Sequence, residues 1–359
     1  MRLILLGFIF VIINFLFKGK RGTYFMFLGI LLVMGLQGKA GFDYLAYEIE
    51  FMLLNSSSNV DVDQTEICWI WLNKLFSFAD FYVLVFFISL IQYLVLVKFV
   101  NKYVCGVLWK NFAFFIFYFT QSFLGFQISG LRQGLAIELL VLTFILIENK
   151  QYLMSILCTI IMYNIHHSSL LIIPFIILFY IYRKNDFAIN YKFDKNIIKI
   201  LPILFVVLYI IKESFIAYIT PFALQFSTSE FEGYISQLEY QEISPLIILY
   251  DLICIIVICL FLKQSKGCIR YMSYLSLIAF FGESILFGLG DLPRLTYYFS
   301  IFNLVVLPNV GIFLFKKYNK FIAIGFVILC CAYSMKTFIP YVTSPDIPRI
   351  MNYKFIFEL

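Results

Sequence analysis

Charged residues are scarce in this sequence: only 13% of its 359 residues are Asp, Glu, Lys or Arg, whereas 62% are hydrophobic. A mean hydropathy of +0.93 excludes a soluble globular domain and is typical of a chain that crosses a membrane many times. The long apolar runs also lack the alternation that marks membrane strands. The composition therefore predicts an all-α, polytopic integral membrane protein, whose net charge of +6 implies no nucleic-acid partner.

A cysteine or histidine framework is absent as well. His166 and His167 are the only histidines, and no C-x-x-C pair accompanies them. Seven of the eight cysteines fall in apolar segments or at their basic ends, where cysteine serves as a small apolar side chain, and only Cys68 lies in a predicted outer loop. We therefore expect no metal and no cofactor.

Long apolar segments are what the sequence does contain. They predict about twelve transmembrane helices, near 3–17, 23–37, 80–98, 112–128, 131–148, 151–166, 168–182, 197–213, 245–262, 270–288, 295–315 and 321–338. No cleavage pattern follows the first segment, so we expect it to remain as a span. Without repeats or linkers, residues 1–359 are predicted to form a single membrane domain.

Basic residues predict the orientation of these segments. One set of loops contains 18 of the 27 Lys and Arg, whereas the opposite set contains 15 of the 21 Asp and Glu. Because cytoplasmic loops carry the excess of positive charge, the first set, which includes 183–196, is predicted to be cytoplasmic. The long loops 37–79 and 213–244 then lie outside, and the first of them is expected to contain short interfacial helices anchored by Trp69 and Trp71.

The leading candidate site comes from the two segments around Lys150. Arg132 lies 18 residues before Lys150 and His166 lies 16 residues after it, which are climbs of roughly 27 and 24 Å in helices. An antiparallel pair therefore brings both side chains to one depth at the outer face. Arg294, 22 residues before Lys316, rises roughly 33 Å to the same face. Since arginine binds phosphate oxygens bidentately, Arg132 and Arg294 predict a diphosphate site.

Neighbouring polar residues are candidates for acid–base chemistry and sugar binding. A neutral imidazole at His166 is suited to accept a proton from a sugar hydroxyl, whereas His167 is rotated by about 100° on a helix. The loop after the second segment adds residue types that bind sugars, namely Asp43, Tyr44, Tyr47 and Glu48. Interfacial roles explain the same residues, with arginines snorkelling to headgroups and the others capping helices. The residues alone leave both interpretations open.

Three carboxylates are predicted inside apolar segments: Glu138, Asp251 and Glu283. A carboxylate within a membrane is costly and is a functional candidate by default. A chain of such acids would suit proton coupling, which is the main argument for a transporter.

Short motifs in this chain resemble those of the EpsG family. L-R-Q-G-L-A at 131–136, H-H-S-S-L at 166–170 and P-R-L-T-Y-Y-F at 293–299 occur in the family's order, and F-D-Y-L-A-Y-E follows the second segment. Members of this family are Wzy-like polymerases of bacterial exopolysaccharide, capsule and O-antigen repeat units. The resemblance covers most of the chain in topology and these short segments in motif.

The resemblance implies a metal-independent glycosyltransferase at the outer face of the bacterial cytoplasmic membrane. Its partners would be undecaprenyl-diphosphate-linked donor and acceptor oligosaccharides, membrane lipid and, as a further candidate, a chain-length regulator. Arg132 and Arg294 would bind the donor diphosphate, and His166 or Asp43 would deprotonate the acceptor. Supporting or sugar-binding roles would fall to Gln133, Tyr44, Tyr47, Glu48, Ser168 and Tyr298.

Two other classes of protein stay open as alternatives. A lipid-linked oligosaccharide flippase or polysaccharide exporter should show basic residues at mid-span, whereas the mid-span charges here are acidic. A membrane acyltransferase that modifies the polymer typically places a histidine toward a cytoplasmic acyl donor, whereas both histidines here are predicted to lie outward.

Overall fold

Helices make up nearly all of the described chain. The computed structural model describes residues 2–17, 20–41, 43–56, 66–120, 124–185, 198–212, 214, 244–286, 292–343 and 353–358. Within these ranges the β pairing is one isolated antiparallel bridge between Gln37 and Phe355. The all-α prediction is therefore confirmed.

The helices follow the predicted apolar segments closely. They are α1 (Arg2–Leu16), α2 (Lys20–Gly35), α3 (Tyr44–Asn55), α4 (Ile67–Leu75), α5 (Phe81–Tyr103), α6 (Val107–Tyr118), α7 (Phe126–Ser129), α8 (Leu131–Glu148), α9 (Tyr152–Ile165), α10 (Ile173–Lys184), α11 (198–212), α12 (Pro245–Leu262), α13 (Gly267–Leu286), α14 (Tyr297–Ser300), α15 (Asn303–Lys317) and α16 (Lys320–Thr343). Short 3₁₀ turns at His167–Ile172 and Leu292–Thr296 precede α10 and α14.

Fewer membrane spans are found than predicted. Four described helical stretches are long and apolar enough to cross a membrane: Phe81–Tyr103, His167–Lys184, Pro245–Leu262 and Lys320–Thr343. The pair Pro293–Ser300 and Asn303–Lys317, bent by 54°, gives a fifth if it counts as one span. The prediction of about twelve spans is not confirmed, because helices such as the 14-residue α9 reach only about 21 Å of a roughly 30 Å hydrocarbon core.

The described part of the segment predicted as one span at 112–128 does not form one continuous helix. Helix α6 ends at Tyr118, and the short helix α7 follows just before Gly130. The amide of Gln127 in α7 bonds with Gln92 of α5 and donates to Glu138 Oε1 of α8 at 3.3 Å. The hydropathy of a segment does not depend on such hydrogen bonds between buried side chains. An uninterrupted apolar sequence therefore gives no sign of the break between α6 and α7, which these bonds stabilise.

Helix α8 lies at the centre of the packing. It runs beside α9, and it also contacts α5 and α10. Phe144 of α8 stacks on Phe179 of α10 with ring centroids 4.4 Å apart and lies 4.9 Å from the ring of Phe302. All three rings are fully buried, so the aromatic contacts fix α8 within the core.

The two ends of α8 carry different polar groups. At its last residue, Glu148 Oε2 lies 2.8 Å from Lys102 Nζ and accepts a hydrogen bond from the Tyr103 hydroxyl. Cys268, at the start of α13, contacts the same hydroxyl at 3.6 Å. The residues of this end belong to the predicted cytoplasmic loops, whereas Arg132 lies in the first turn of α8 at the opposite end of the bundle.

Residues 353–358 fold back onto the turn that follows α2. The Tyr353 hydroxyl donates to the Val33 carbonyl oxygen at 2.5 Å, across 320 positions of the sequence. Two backbone hydrogen bonds and one ion pair complete the attachment: Gly38 to Lys354, Ile356 to Leu36, and Arg2 to Glu358. This attachment, which we call the tail clip, holds the beginning of the 37–79 segment.

The predicted loops are described only in part. Helices α3 and α4 occupy the first and last parts of 37–79, where short helices are predicted, and 57–65 lies outside the described residues. The predicted outer loop 213–244 is described only at residues 214 and 244. The predicted cytoplasmic loop 183–196 is described only to Asn185.

Candidate functional site

A buried carboxylate joins the two residues that the helix count places at one depth. Glu66 Oε2 lies 2.7 Å from Arg132 Nη1, and Glu66 Oε1 lies 3.2 Å from His166 Nδ1. Only 10% of the Glu66 side chain is exposed. The structure thus brings Arg132 and His166 together through a residue that the sequence analysis did not select.

Each member of this trio lies at the end of a helix. Glu66 has an extended backbone and directly precedes α4. Arg132 lies in the first turn of α8, and His166 ends α9 with φ −155° and ψ 110° before the 3₁₀ turn begins. Backbone groups at a helix end are not all hydrogen-bonded within the helix, so the chain can change direction there. Three elements distant in sequence can therefore bring side chains together at this place without distorting a helix.

The electrostatics of the trio favour an ionised Glu66. Burial alone would raise its pKa from 4.5, but the hydrogen bond with His166 and the charge of Arg132 outweigh burial and lower the pKa to about 2. A backbone hydrogen bond lowers it further, as expected for an anion at the beginning of a helix. Glu66 is therefore a carboxylate at any physiological pH.

Aromatic rings enclose the other side of Arg132. The guanidinium carbon lies 5.2 Å from the centroid of the Tyr47 ring, which is a cation–π distance. The Tyr47 ring meets the fully buried Trp69 edge-on at 5.6 Å, and Trp69 Nε1 donates to Glu50 Oε2 at 3.1 Å. Burial raises the pKa of Tyr47 although Arg132 opposes the shift, so this hydroxyl stays neutral.

Arg132 retains hydrogen-bonding capacity. Guanidinium groups carry five N–H donors. The Nε of Arg132 is buried and has no hydrogen-bond partner among the described residues. A buried donor without an acceptor is rare in proteins and marks a place where an acceptor from a ligand would be stabilised. We call Glu66, Arg132, His166 and Tyr47 together the arginine cluster.

Arg294 is tied to the same end of α8. Gln133, the residue after Arg132, donates from Nε2 to the backbone carbonyl of Arg294 at 2.9 Å. The side chains of Arg294 and Asp43 both lie close enough to the Tyr341 hydroxyl to act on it electrostatically. The segments that carry the two predicted arginines therefore meet through Gln133.

Two further predicted residues join the motifs to each other. Ser168 Oγ and the Tyr298 hydroxyl lie 3.0 Å apart, which links the turn after His166 to α14, the short helix that follows the turn containing Arg294. Tyr298 is fully buried. Together with the Gln133 bond, this contact brings all three sequence motifs into one region of the fold.

Asp43 and Tyr47 lie one helical turn apart on the face of α3 that approaches α8. The backbone N–H of Asp43 donates to Ser129 Oγ at 3.3 Å. Ser129 ends α7, two residues before α8 begins. Asp43 therefore lies next to the beginning of α8, and its charge also acts on Tyr47.

Tyr44 and Glu48 lie away from the arginine cluster. They share another face of α3, where Tyr44 packs edge-on against Phe81 at 5.2 Å and Glu48 lies 3.2 Å from Lys39 Nζ. The spacing of four residues explains the separation, since it places Tyr44 with Glu48 and Asp43 with Tyr47. His167 also turns away, with its ring 4.9 Å from that of Tyr163.

Glu66 is the member of the candidate site that the sequence did not predict. A signal for it exists, because a buried arginine requires a carboxylate partner. The acidic residues that precede α4 most closely in sequence are Asp61, Asp63 and Glu66, and Glu66 occupies the position directly before that helix. Among the described residues no group of three His, Cys, Asp or Glu side chains is arranged to hold a metal ion.

A bundle of apolar helices with a buried arginine cluster at one end defines an integral membrane protein with a polar site built from helix ends. Residues 20–355 match the model of the EpsG family, so the chain belongs to that family. The resemblance seen in the motifs is thereby confirmed, and membership suggests a membrane protein of the polysaccharide-polymerase type. Searches of curated proteins and of solved structures found no match.

Proposed function

We propose that this protein is a glycosyltransferase that joins undecaprenyl-diphosphate-linked oligosaccharide repeat units into exopolysaccharide, capsule or O-antigen. The observation that carries the proposal is the arginine cluster, where an arginine and a histidine share one carboxylate. Membership of the EpsG family supports the polymerase class. The substrate, the linkage reaction and the residue roles are our inference.

Arg132 and Arg294 bind the donor diphosphate in this mechanism. Arg132 contacts Glu66 through Nη1 and also interacts with Tyr47, whereas its buried Nε has no partner among the described residues and is available to a phosphate oxygen. Positive charge at this place stabilises the diphosphate as it leaves the anomeric carbon, which is the usual source of the largest catalytic effect. The mechanism needs no metal ion.

His166 serves as the general base. A hydrogen bond from Nδ1–H to Glu66 Oε1 leaves Nε2 as the proton acceptor. The acceptor hydroxyl oxygen attacks the anomeric carbon of the donor sugar, the bond from that carbon to the diphosphate oxygen breaks, and the hydroxyl proton passes to Nε2. Asp43 is the second candidate for this role, because it lies on the same face of α3 as Tyr47.

Positioning roles suit the remaining motif residues better than sugar binding. Gln133 holds the turn that carries Arg294, and Ser168 with Tyr298 holds the following helix α14 against the segment after His166. Tyr298 is fully buried and offers no surface to a sugar. Tyr44 and Glu48 serve the packing of α3.

The proposed topology places the arginine cluster on the outer side of the bacterial cytoplasmic membrane. Lys102 and other residues of the predicted cytoplasmic loops lie at the opposite end of α8, which supports this orientation. We propose about twelve membrane crossings, in which the shorter apolar helices cross as tilted, bent or paired segments.

Incubation of the purified protein with a lipid-linked repeat unit tests the proposal directly. We expect a ladder of polymers from the natural protein and almost none from Arg132→Lys. In cells, the variant should leave the single repeat unit on the outer leaflet, because only polymerisation is blocked. A flippase predicts the opposite, with the repeat unit trapped on the inner leaflet, and an acyltransferase predicts a ladder of normal length that lacks acyl groups.

A further inference from the structure

An apolar groove runs along the membrane-facing side of the bundle beside the arginine cluster. Its volume is about 840 Å³, and it lies between the short helix α4 and the helices α5, α8 and α9. Ile67, Trp71 and Leu75 of α4 line one side, and each is more than half exposed. The opposite face of α4 buries Trp69, Ile70 and Asn73, so α4 is apolar on both faces.

Three of the helices that line this groove, α4, α8 and α9, carry or adjoin a member of the arginine cluster close to a lining residue. Ile67 of α4 directly follows Glu66, and Ile165 of α9 directly precedes His166. Leu135 of α8, which lines the groove, lies three residues after Arg132, on the same side of the helix. A molecule that places its anionic head at Arg132 therefore finds the groove immediately beneath it.

The chemistry of the groove selects one kind of occupant. The described residues that line it are almost wholly aliphatic and aromatic, and Lys74 is the single charged residue among them. The arginine cluster, in which Arg132 Nε is a buried donor without a partner among the described residues, adjoins this apolar channel through Ile67, Leu135 and Ile165. Such a pairing complements an amphiphile with one anionic head and a long hydrocarbon chain. Each buried CH₂ group contributes favourably to the binding of such a chain.

We propose that this groove binds the first isoprene units of the lipid carrier while the diphosphate contacts Arg132. The proposal rests on the proposed function, since it assigns the tail of the same donor. The groove opens beside α4, so the carrier enters sideways from the bilayer, and α4 covers the chain at the level of the headgroups. The groove, and not only the diphosphate site, then distinguishes a polyisoprenyl donor from a soluble sugar diphosphate.

Cysteine protection tests the groove without any mutation. Cys68 lines the groove, whereas Cys105, which follows α5 at the other end of the bundle, is exposed and serves as the internal control. Alkylation of both thiols by an apolar maleimide is followed by mass spectrometry of the purified protein. Undecaprenyl diphosphate should slow alkylation of Cys68 several-fold and leave Cys105 unchanged, whereas inorganic diphosphate and phosphatidylglycerol should protect neither.

Equal protection of Cys68 by phosphatidylglycerol would overturn the proposal, because the groove would then be a general lipid contact. Protection by inorganic diphosphate alone would overturn it as well, since no tail is involved. An unchanged rate of Cys68 alkylation at saturating undecaprenyl diphosphate would also overturn the proposal.

Two neighbouring substitutions give an independent test. Ile161 lines the groove, whereas Ile160 is exposed on the same helix and does not line it. Ile161→Trp should weaken the binding of undecaprenyl diphosphate by roughly tenfold, or about 1.4 kcal/mol, and leave the binding of inorganic diphosphate unchanged. Ile160→Trp is the matched control and should bind both as the natural protein does.

These measurements separate failure of the groove from failure of the proposed function. A normal polymer ladder together with equal affinities in Ile160→Trp and Ile161→Trp would reject the groove and leave the polymerase intact. Tail-dependent binding without any ladder would reject the polymerase and retain a polyisoprenyl diphosphate site.

Discussion

Glu66 determines the electrostatic state of Arg132. A partly buried guanidinium without a partner is unfavourable, and in the described structure Glu66 supplies the compensating charge at 2.7 Å from Arg132 Nη1. The same carboxylate orients His166. One residue therefore links the phosphate-binding and proton-accepting parts of the proposed mechanism.

Replacement of Glu66 by glutamine should reduce polymer formation strongly. The amide keeps the size of the side chain but removes the charge that holds Arg132 and orients His166, so we expect a loss of about 10²-fold or more. Polymer formed by purified protein is the measurement. Glu48→Gln is the matched control, because Glu48 pairs with Lys39 outside the arginine cluster, and near-normal polymer is expected from it.

The contribution of Glu66 to stability should disappear at low pH. Its folded pKa of about 2 lies below the ordinary 4.5, so the stabilisation is complete above about pH 4.5 and is lost as pH falls toward 2. The difference between the two pKa values corresponds to about 3 kcal/mol. Thermal unfolding in detergent should show a lower Tm for Glu66→Gln than for the natural protein at pH 6. The difference in Tm between the two proteins should decrease steadily as pH falls below 4.5. A difference that does not change with pH would contradict the lowered pKa of Glu66.

Conservative and neighbouring substitutions should separate the roles of the cationic residues. Arg132→Lys keeps the charge but loses the planar fork that contacts Glu66 and faces Tyr47, and a loss of roughly 10²–10³ in rate is expected. His166→Ala should lower turnover more than donor binding, whereas His167→Ala should change little because the His167 ring packs at a tilt against Tyr163, away from the arginine cluster. Separate measurements of turnover and of donor affinity show whether each residue acts in donor binding or in the chemical step. Equal loss in both histidine variants would remove the general base from the mechanism.

Among the helices, α8 depends on close contact at one glycine. A Cβ at Gly134 would lie 2.9 Å from both Gln127 Oε1 and Gln92 Nε2, the amides that hold α7 between α5 and α8. We expect Gly134→Ala to lower stability by about 1–3 kcal/mol through overpacking. Thermal unfolding of the purified protein measures the effect. Gly325→Ala in α16 is the control, because a Cβ there meets nothing within 4 Å, and helix propensity should make that change neutral or slightly stabilising.

The sequence predicts uninterrupted helices well and broken ones poorly. The predicted segments 131–148 and 245–262 agree with α8 and α12 at both ends. By contrast, the break within 112–128 and the 54° bend near Ile301 are invisible to hydropathy. Buried hydrogen bonds such as those of Gln127 stabilise such breaks, and they depend on partners from distant helices.

The candidate site was predictable only where a single helical pair defines it. The count from Lys150 places Arg132 and His166 together because both helices are regular and share one turn. Glu66 comes from another part of the chain, so its approach depends on how α4 packs, which no local spacing encodes. The separation of Tyr44 from Tyr47 likewise follows from the packing of α3 rather than from composition.

At the scale of the whole molecule, the membrane orientation is directly testable. Ser56 and Gln264 are both exposed and lie on opposite sides in the proposed topology. In a variant without native cysteines, Ser56→Cys should react with an impermeant thiol reagent in intact cells, and Gln264→Cys should react only after lysis. The reverse pattern would place the arginine cluster in the cytoplasm and remove an outer-face polymerase from consideration.

The tail clip has a consequence for the order in which this protein is made. The turn around Gln37 precedes Asp43 and Tyr47, yet the partners that hold it lie beyond position 352, and one of these bonds joins residues 320 positions apart. During synthesis the turn around Gln37 therefore lacks its antiparallel partner until nearly all the helices have left the ribosome. The turn before α3 would therefore reach its final geometry among the last events of biogenesis, and a chain that ends before position 353 would lack the partners that hold this turn.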